Sequence, residues 1–117
     1  MDINDWLNKF KSSWENKSID DVLSLFSTDV VYHETPFRKL MGLDEIGKEW
    51  AVIMDQNEIE LNYEVYSKDN DKYTIQWDLK YINKENKQEH FKGIYLVKLN
   101  EAGLCNEFWH YCENNAF

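Results

Sequence analysis

The chain is predicted to be α+β, with three N-terminal helices packed on one face of a strongly curved, mainly antiparallel sheet; three observations predict it. Apolar residues recur at three- and four-residue steps through the first half and at two-residue steps from Ile59 onward. The stretch from Glu89 to Glu113 reads as two long strands joined by a turn at Asn100, Glu101, Ala102 and Gly103, with bulky apolar or aromatic residues at alternate positions. An isolated two-stranded ribbon is marginal in water, so this hairpin must belong to a larger sheet with helices laid against it.

The first helix follows Asp2 as cap and carries Ile3, Trp6, Leu7, Phe10 and Trp14 on one stripe. Ser18 opens the second, with Asp21 at the reciprocal capping position and Ile19, Val22, Leu23 and Phe26 inward. Val30, Val31, Tyr32 and His33 have strand character, and the strand must stop at Thr35-Pro36, since proline cannot donate to a ladder. Residues Phe37 to Met41 read as a loop. Gly42 precedes a third helix with Leu43, Ile46, Trp50 and Ile53 inward and Asp44 and Glu45 at its positive end. Gly47 inside that helix marks a close approach.

The meander then begins. Ile59, Leu61, Tyr63 and Val65 alternate with polar residues; after a turn at 68–72, Tyr73, Ile75, Trp77, Leu79 and Tyr81 do the same, and 83–87 is a second polar turn before the final hairpin.

A chain of 117 residues supports one domain, 1–117, with a single sizeable core. With 13 Lys plus Arg against 22 Asp plus Glu, the net charge of −9 repels nucleic acid and anionic membranes. No apolar run approaches the roughly 18 residues that span a bilayer, and Met1-Asp2-Ile3-Asn4-Asp5 lacks the features of a signal peptide. A cytoplasmic location is expected. Cys105 and Cys112, seven apart on one strand, are expected on opposite faces about 23 Å apart, too far to bridge.

The chain resembles the nuclear transport factor 2-like superfamily, which includes ketosteroid isomerases, scytalone dehydratase and SnoaL-type polyketide cyclases. The resemblance covers nearly the whole chain. It rests on the segment from Leu25 through Val30-Val31-Tyr32-His33-Glu34-Thr35-Pro36, on Gly42-Leu43-Asp44-Glu45-Ile46, and on Gly93-Ile94-Tyr95-Leu96-Val97 with Gly103-Leu104-Cys105-Asn106-Glu107-Phe108. It implies the cone fold but no single activity, because such folds host many functions. In isomerase-like members, a carboxylate at the end of the strand after the second helix is the base. Counting forward from Asp29, Glu34 takes that position; counting back from Pro36, Thr35 does. Glu34 is favoured, since it shares a face with Tyr32.

Chemistry argues similarly. A carboxylate in an aromatic hollow is harder to ionise, which brings its pKa into the range useful for proton transfer. Glu34 and Glu107 are the two catalytic candidates. The face of Glu107 depends on register. Pairing Leu99 with Leu104 sets it opposite Leu96. Pairing Leu99 with Cys105, the preferred choice, gathers Glu107, Trp109 and Tyr111 on the face of Phe91, Tyr95 and Val97. Trp14, Tyr32, Trp50, Tyr63, Trp77, Tyr95, Trp109 and Tyr111 would then line one ligand cavity.

His33, His90 and His110 lack metal-ligand spacing, neither cysteine has a basic neighbour, and no glycine loop could cradle phosphate; no metal or cofactor is expected. The expected function is binding of a small apolar or aromatic molecule, with isomerase-, dehydratase- or cyclase-type proton transfer by Glu34 assisted by a tyrosine or Glu107. The alternative is a non-catalytic dimerisation or interaction domain with a filled cavity. A homodimer is expected through the outer face of the long strands, where Ile94, Leu96 and Phe108 would otherwise be exposed.

Overall fold

The structure, a computed structural model, describes residues 2–115. Helix α1 (Ile3–Glu15) starts where the Asp2 carboxylate accepts from the Asp5 backbone N–H at 2.8 Å, and α2 (Ile19–Leu23) where the Ser18 hydroxyl accepts from the Asp21 N–H at 3.3 Å. Strand β1 (Phe26–Thr35) stops at Pro36 as expected but begins four residues before Val30. The predicted loop before the third helix is instead a short strand, β2 (Arg38–Met41), antiparallel to β1. Only Leu40 of its four residues is buried, which leaves no alternation to read.

Helix α3 (Gly42–Trp50) runs into a 3-10 turn (Ala51–Asp55) that carries Ile53. Gly47 faces α2, where an added Cβ would lie 3.4 Å from Leu23 Cδ1. The meander follows as β3 (Asn57–Asp69), β4 (Lys72–Ile82), β5 (Gln88–Leu99) and β6 (Cys105–Asn114). One six-stranded sheet results, ordered β2-β1-β6-β5-β4-β3, with β1 lying parallel to β6 and all other neighbours antiparallel.

The helices cover one face. Trp6 and Phe10 stack at 5.2 Å and reach Phe26 and Phe108 across the sheet, while the Trp6 indole N–H donates to the Leu25 carbonyl at 2.9 Å. Burying each such ring stabilises the fold by about 2–3 kcal/mol, so α1 is held by its aromatic stripe rather than by propensity. Among the described residues, no helix is long and apolar enough to cross a membrane.

The hairpin from β5 to β6 pairs Leu99 with Cys105, the preferred register, but the next pair is Lys98 with Glu107. Asn106 is therefore an extra residue, a β-bulge, and every later residue takes the face opposite to the one that strict alternation assigns. Phe108, His110 and Cys112 join Val97, Tyr95 and Gly93 on the helix-covered face; Glu107, Trp109 and Tyr111 join Lys98, Leu96 and Ile94 outside. This corrects three expectations. Glu107, Trp109 and Tyr111 do not face the helices, Phe108 is fully buried rather than exposed, and Cys105 and Cys112 share the inner face, both as free thiols.

Candidate functional site

Between the helices and the helix-covered face of the sheet lies a cavity of about 210 Å³. Its walls come from four places. Strand β1 contributes Tyr32 and Glu34, two residues apart and thus on one face; α1 and α3 contribute Trp14, Glu49 and Trp50; the 3-10 turn and the residue after it contribute Val52, Ile53 and Gln56; the meander contributes Trp77, Leu79, Tyr81, Phe91, Tyr95, His110 and Cys112.

Gly93 makes room for the floor. A Cβ there would stand 2.1 Å from the Tyr111 carbonyl oxygen and 2.5 Å from Trp77 Cζ2, so only glycine allows the Trp77 indole to lie flat against β5. The indole stacks on Tyr95 at 4.9 Å and on His110 at 5.6 Å. On the helix side, the Trp14 indole donates to Gln56 Oε1 at 2.8 Å and packs edge-on to Trp50.

Glu34 is the charged centre of the site. Burial, and secondly the Glu49 carboxylate, push its pKa up to about 7, against the pull of Arg38. Glu49 is itself held by a two-pronged ion pair, accepting from the Arg38 guanidinium at 3.0 and 2.9 Å. Burial keeps the Tyr32 and Tyr95 hydroxyls protonated, well above the ordinary tyrosine value.

His110 Nδ1 lies 3.1 Å from the Glu34 backbone carbonyl. A carbonyl only accepts, so Nδ1 carries the proton; burial lowers the pKa of the ring and keeps it neutral. At neutral pH the arrangement offers a carboxyl group poised between its two forms, a neutral imidazole, and phenol and indole donors in an apolar shell.

Of the residues expected here, Glu34, Tyr32, Trp14, Trp50, Trp77 and Tyr95 come together at the cavity. Tyr63 does not line it: its ring sits at the sheet edge, half-buried, and its hydroxyl donates to Asn8 Oδ1. Glu107 accepts from the Trp109 indole at 3.0 Å on the outer face, and Trp109 stacks on His33 at 3.4 Å and runs parallel to the ring of Tyr111. Sequence reading missed His110, Glu49, Gln56 and Cys112. For His110 and Cys112 the available signal was Cys105 and Phe108, apolar residues three apart, which cannot share a face on an unbroken strand.

A family model described as a SnoaL-like domain matches residues 7–108. No curated protein matches. Among solved structures, the chain is similar to an NTF2-like protein of unknown function from Exiguobacterium sp. 255-15, at 18% identity and a TM-score of 0.77 over 92% of this chain and 98% of that one. It is also similar to RV0760c from Mycobacterium tuberculosis in complex with estradiol-17beta-hemisuccinate, at 16% identity and a TM-score of 0.77 over 92% of this chain and 91% of that one. A Delta 5-3-ketosteroid isomerase from Mycobacterium sp. aligns at 12% identity and a TM-score of 0.79, covering 97% of this chain and 98% of that one. At these identities the likeness establishes the fold.

Proposed function

The chain belongs to the SnoaL-like domain family, and from that premise we propose that its cavity binds a small, largely apolar molecule on which Glu34 transfers a proton, in a reaction of the isomerase, dehydratase or cyclase type. The observation that carries this reading is the Glu34 carboxyl group on the wall of an aromatic cavity, with a pKa raised to about 7. A group titrating near the working pH can both take and return a proton. Tyr95 and Tyr32 are the assisting donors, since Glu107 lies on the other side of the sheet. Two structural neighbours, a ketosteroid isomerase and a protein in complex with estradiol-17beta-hemisuccinate, lend the reading support.

The test is exchange of protons next to the carbonyl of small ketones and enones in D₂O, followed by NMR. Glu34→Gln is expected to lower exchange at least 100-fold while the protein stays folded; unchanged exchange would remove Glu34 from the role. The alternative, an interaction domain with a filled cavity, is disfavoured by the open volume of about 210 Å³. Self-association is part of the proposal: Ile94, Leu96 and Tyr111 are 36–39% exposed around the His33–Trp109 stack, an apolar outer face suited to a second copy.

A further inference from the structure

Several donors at this cavity have nothing to donate to, and this restricts what a ligand must bring. Trp50 is 6% exposed and Tyr95 2%, yet the Trp50 indole N–H and the Tyr95 hydroxyl have no hydrogen-bond partner among the described residues. Buried polar groups are normally satisfied, so unpaired ones on the wall of a cavity mark where a bound molecule completes the set. The Trp77 indole N–H is unpaired as well; its ring lies flat against β5 at Gly93 and stacks on Tyr95 and His110. Trp14, by contrast, is already bonded to Gln56.

The Trp50 N–H and the Tyr95 hydroxyl come from opposite walls, α3 and β5, and both lie beside the Tyr32 hydroxyl on β1. The Trp50 N–H is close enough to favour the ionised form of Tyr32, and the Tyr32 hydroxyl is close enough to Tyr95 to disfavour ionisation there. An indole N–H donates only. An ammonium ligand would be drawn to Glu34 and Glu49 but can accept nothing, so it would leave both donors unpaired. A carboxylate would meet the Glu34 and Glu49 carboxyl groups in the same cavity. A neutral oxygen acceptor suffers neither penalty.

Volume sets the size. A cavity of about 150 Å³ holds benzene, and drug-sized ligands take about 300–1,000 Å³; at about 210 Å³ this one admits a single ring with small substituents. Val52 and Cys112, both exposed, sit at its rim, so any further ring would remain in water.

We infer that the cavity takes a neutral single-ring carbonyl compound or phenol, its oxygen accepting from the Trp50 indole N–H and the Tyr95 hydroxyl. The inference rests on the cavity being a ligand site, but not on Glu34 moving a proton.

The experiment is a titration of the full chain with cyclohex-2-enone, cyclohexene, cyclohexylamine, benzoate, a fused two-ring enone and a four-ring steroid enone. Affinity is read by NMR of the indole N–H resonances, with Trp50 identified from Trp50→Phe. Cyclohex-2-enone is expected to move the Trp50 resonance and to bind at least tenfold more tightly than the amine or the acid. Each added ring is expected to change affinity less than about threefold, because carbon left in water contributes little. Trp50→Phe is expected to weaken the enone about tenfold, the scale of one buried hydrogen bond, while leaving cyclohexene within about threefold; Tyr95→Phe serves as the second variant should Trp50→Phe fail to fold. Tighter binding of the amine or acid, a tenfold gain per added ring, or enone affinity unchanged in both variants would overturn the inference. Binding of the steroid without the single-ring enone overturns it while leaving the ligand-site reading intact. Failure of every compound to bind overturns both.

Discussion

His110 Nδ1 stands 3.1 Å from the backbone carbonyl oxygen of Glu34 and 3.8 Å from its carboxyl Oε1, so the imidazole that orients this strand end also faces the group that titrates there. The two titrations oppose one another. Glu34 has a folded pKa of about 7 against an ordinary 4.5, so the protonated native form contributes stability below about pH 4.5 that is lost as pH rises through 7. His110 is lowered by burial, so its contribution is present above its ordinary value of 6.5 and is lost as pH falls.

Glu34→Gln removes the first of these. The variant is expected to be more stable than the parent at pH 8 by on the order of 1 kcal/mol, after allowing for solvent screening at a half-buried site, with the difference vanishing near pH 4. Denaturant unfolding across that range measures it. A variant less stable at pH 8 would mean that the carboxylate is held by partners rather than penalised by burial.

Gly93 and Gly47 make opposite predictions for the same substitution. Gly93→Ala drives a Cβ into the Tyr111 carbonyl at 2.1 Å and the Trp77 ring at 2.5 Å, backbone and rigid ring alike, and is expected to cost at least about 3 kcal/mol or to prevent folding. Gly47→Ala meets only Leu23 Cδ1 at 3.4 Å within α3, and is expected to stabilise by about 0.5 kcal/mol through helix propensity. Thermal unfolding of the two variants side by side checks both.

How far these residues could be read before the fold was known depended on whether local pattern carried the information. The α1 stripe, the period-two meander and the Glu34–Tyr32 face were legible because each is set by spacing within one element. Strand β2 was not, because it pairs with β1 at its exposed end and has only Leu40 to mark it. The misplacement of Glu107, Trp109 and Tyr111 has a single source, Asn106: a bulge costs one residue of phase, and phase decides which side chains meet the cavity.

The outer face gives a prediction about assembly. Leu96 lies across from Trp109, and Trp109 across from His33, forming a row between β5, β6 and β1. If a second copy covers this row, Leu96→Lys buries a charge at the contact and is expected to shift sedimentation from about twice 14.1 kDa to 14.1 kDa. A parent that already sediments at 14.1 kDa would rule the dimer out.

Deleting Asn106 tests the bulge itself. With the residue gone, Cys105 still faces Leu99, Glu107 still faces Lys98 and Phe108 still faces Val97, but now as an unbroken ladder. The inner set of Phe108, His110 and Cys112 therefore keeps its face, and a buried side-chain oxygen that has no partner, Asn106 Oδ1, disappears. Against this stands the parallel pairing with β1, where Cys105 N–H donates to the Leu25 carbonyl at 2.9 Å while Glu107 sits beside Val31; removing the extra residue tightens that span. The deletion is expected to fold with a loss of about 1–3 kcal/mol, to retain the nuclear Overhauser contacts of His110 with Tyr95 and Trp77, and to leave the Glu34 titration near pH 7. Loss of those contacts with the fold retained would mean that the bulge positions His110 through the twist it adds to the strand, rather than only through the residue it inserts.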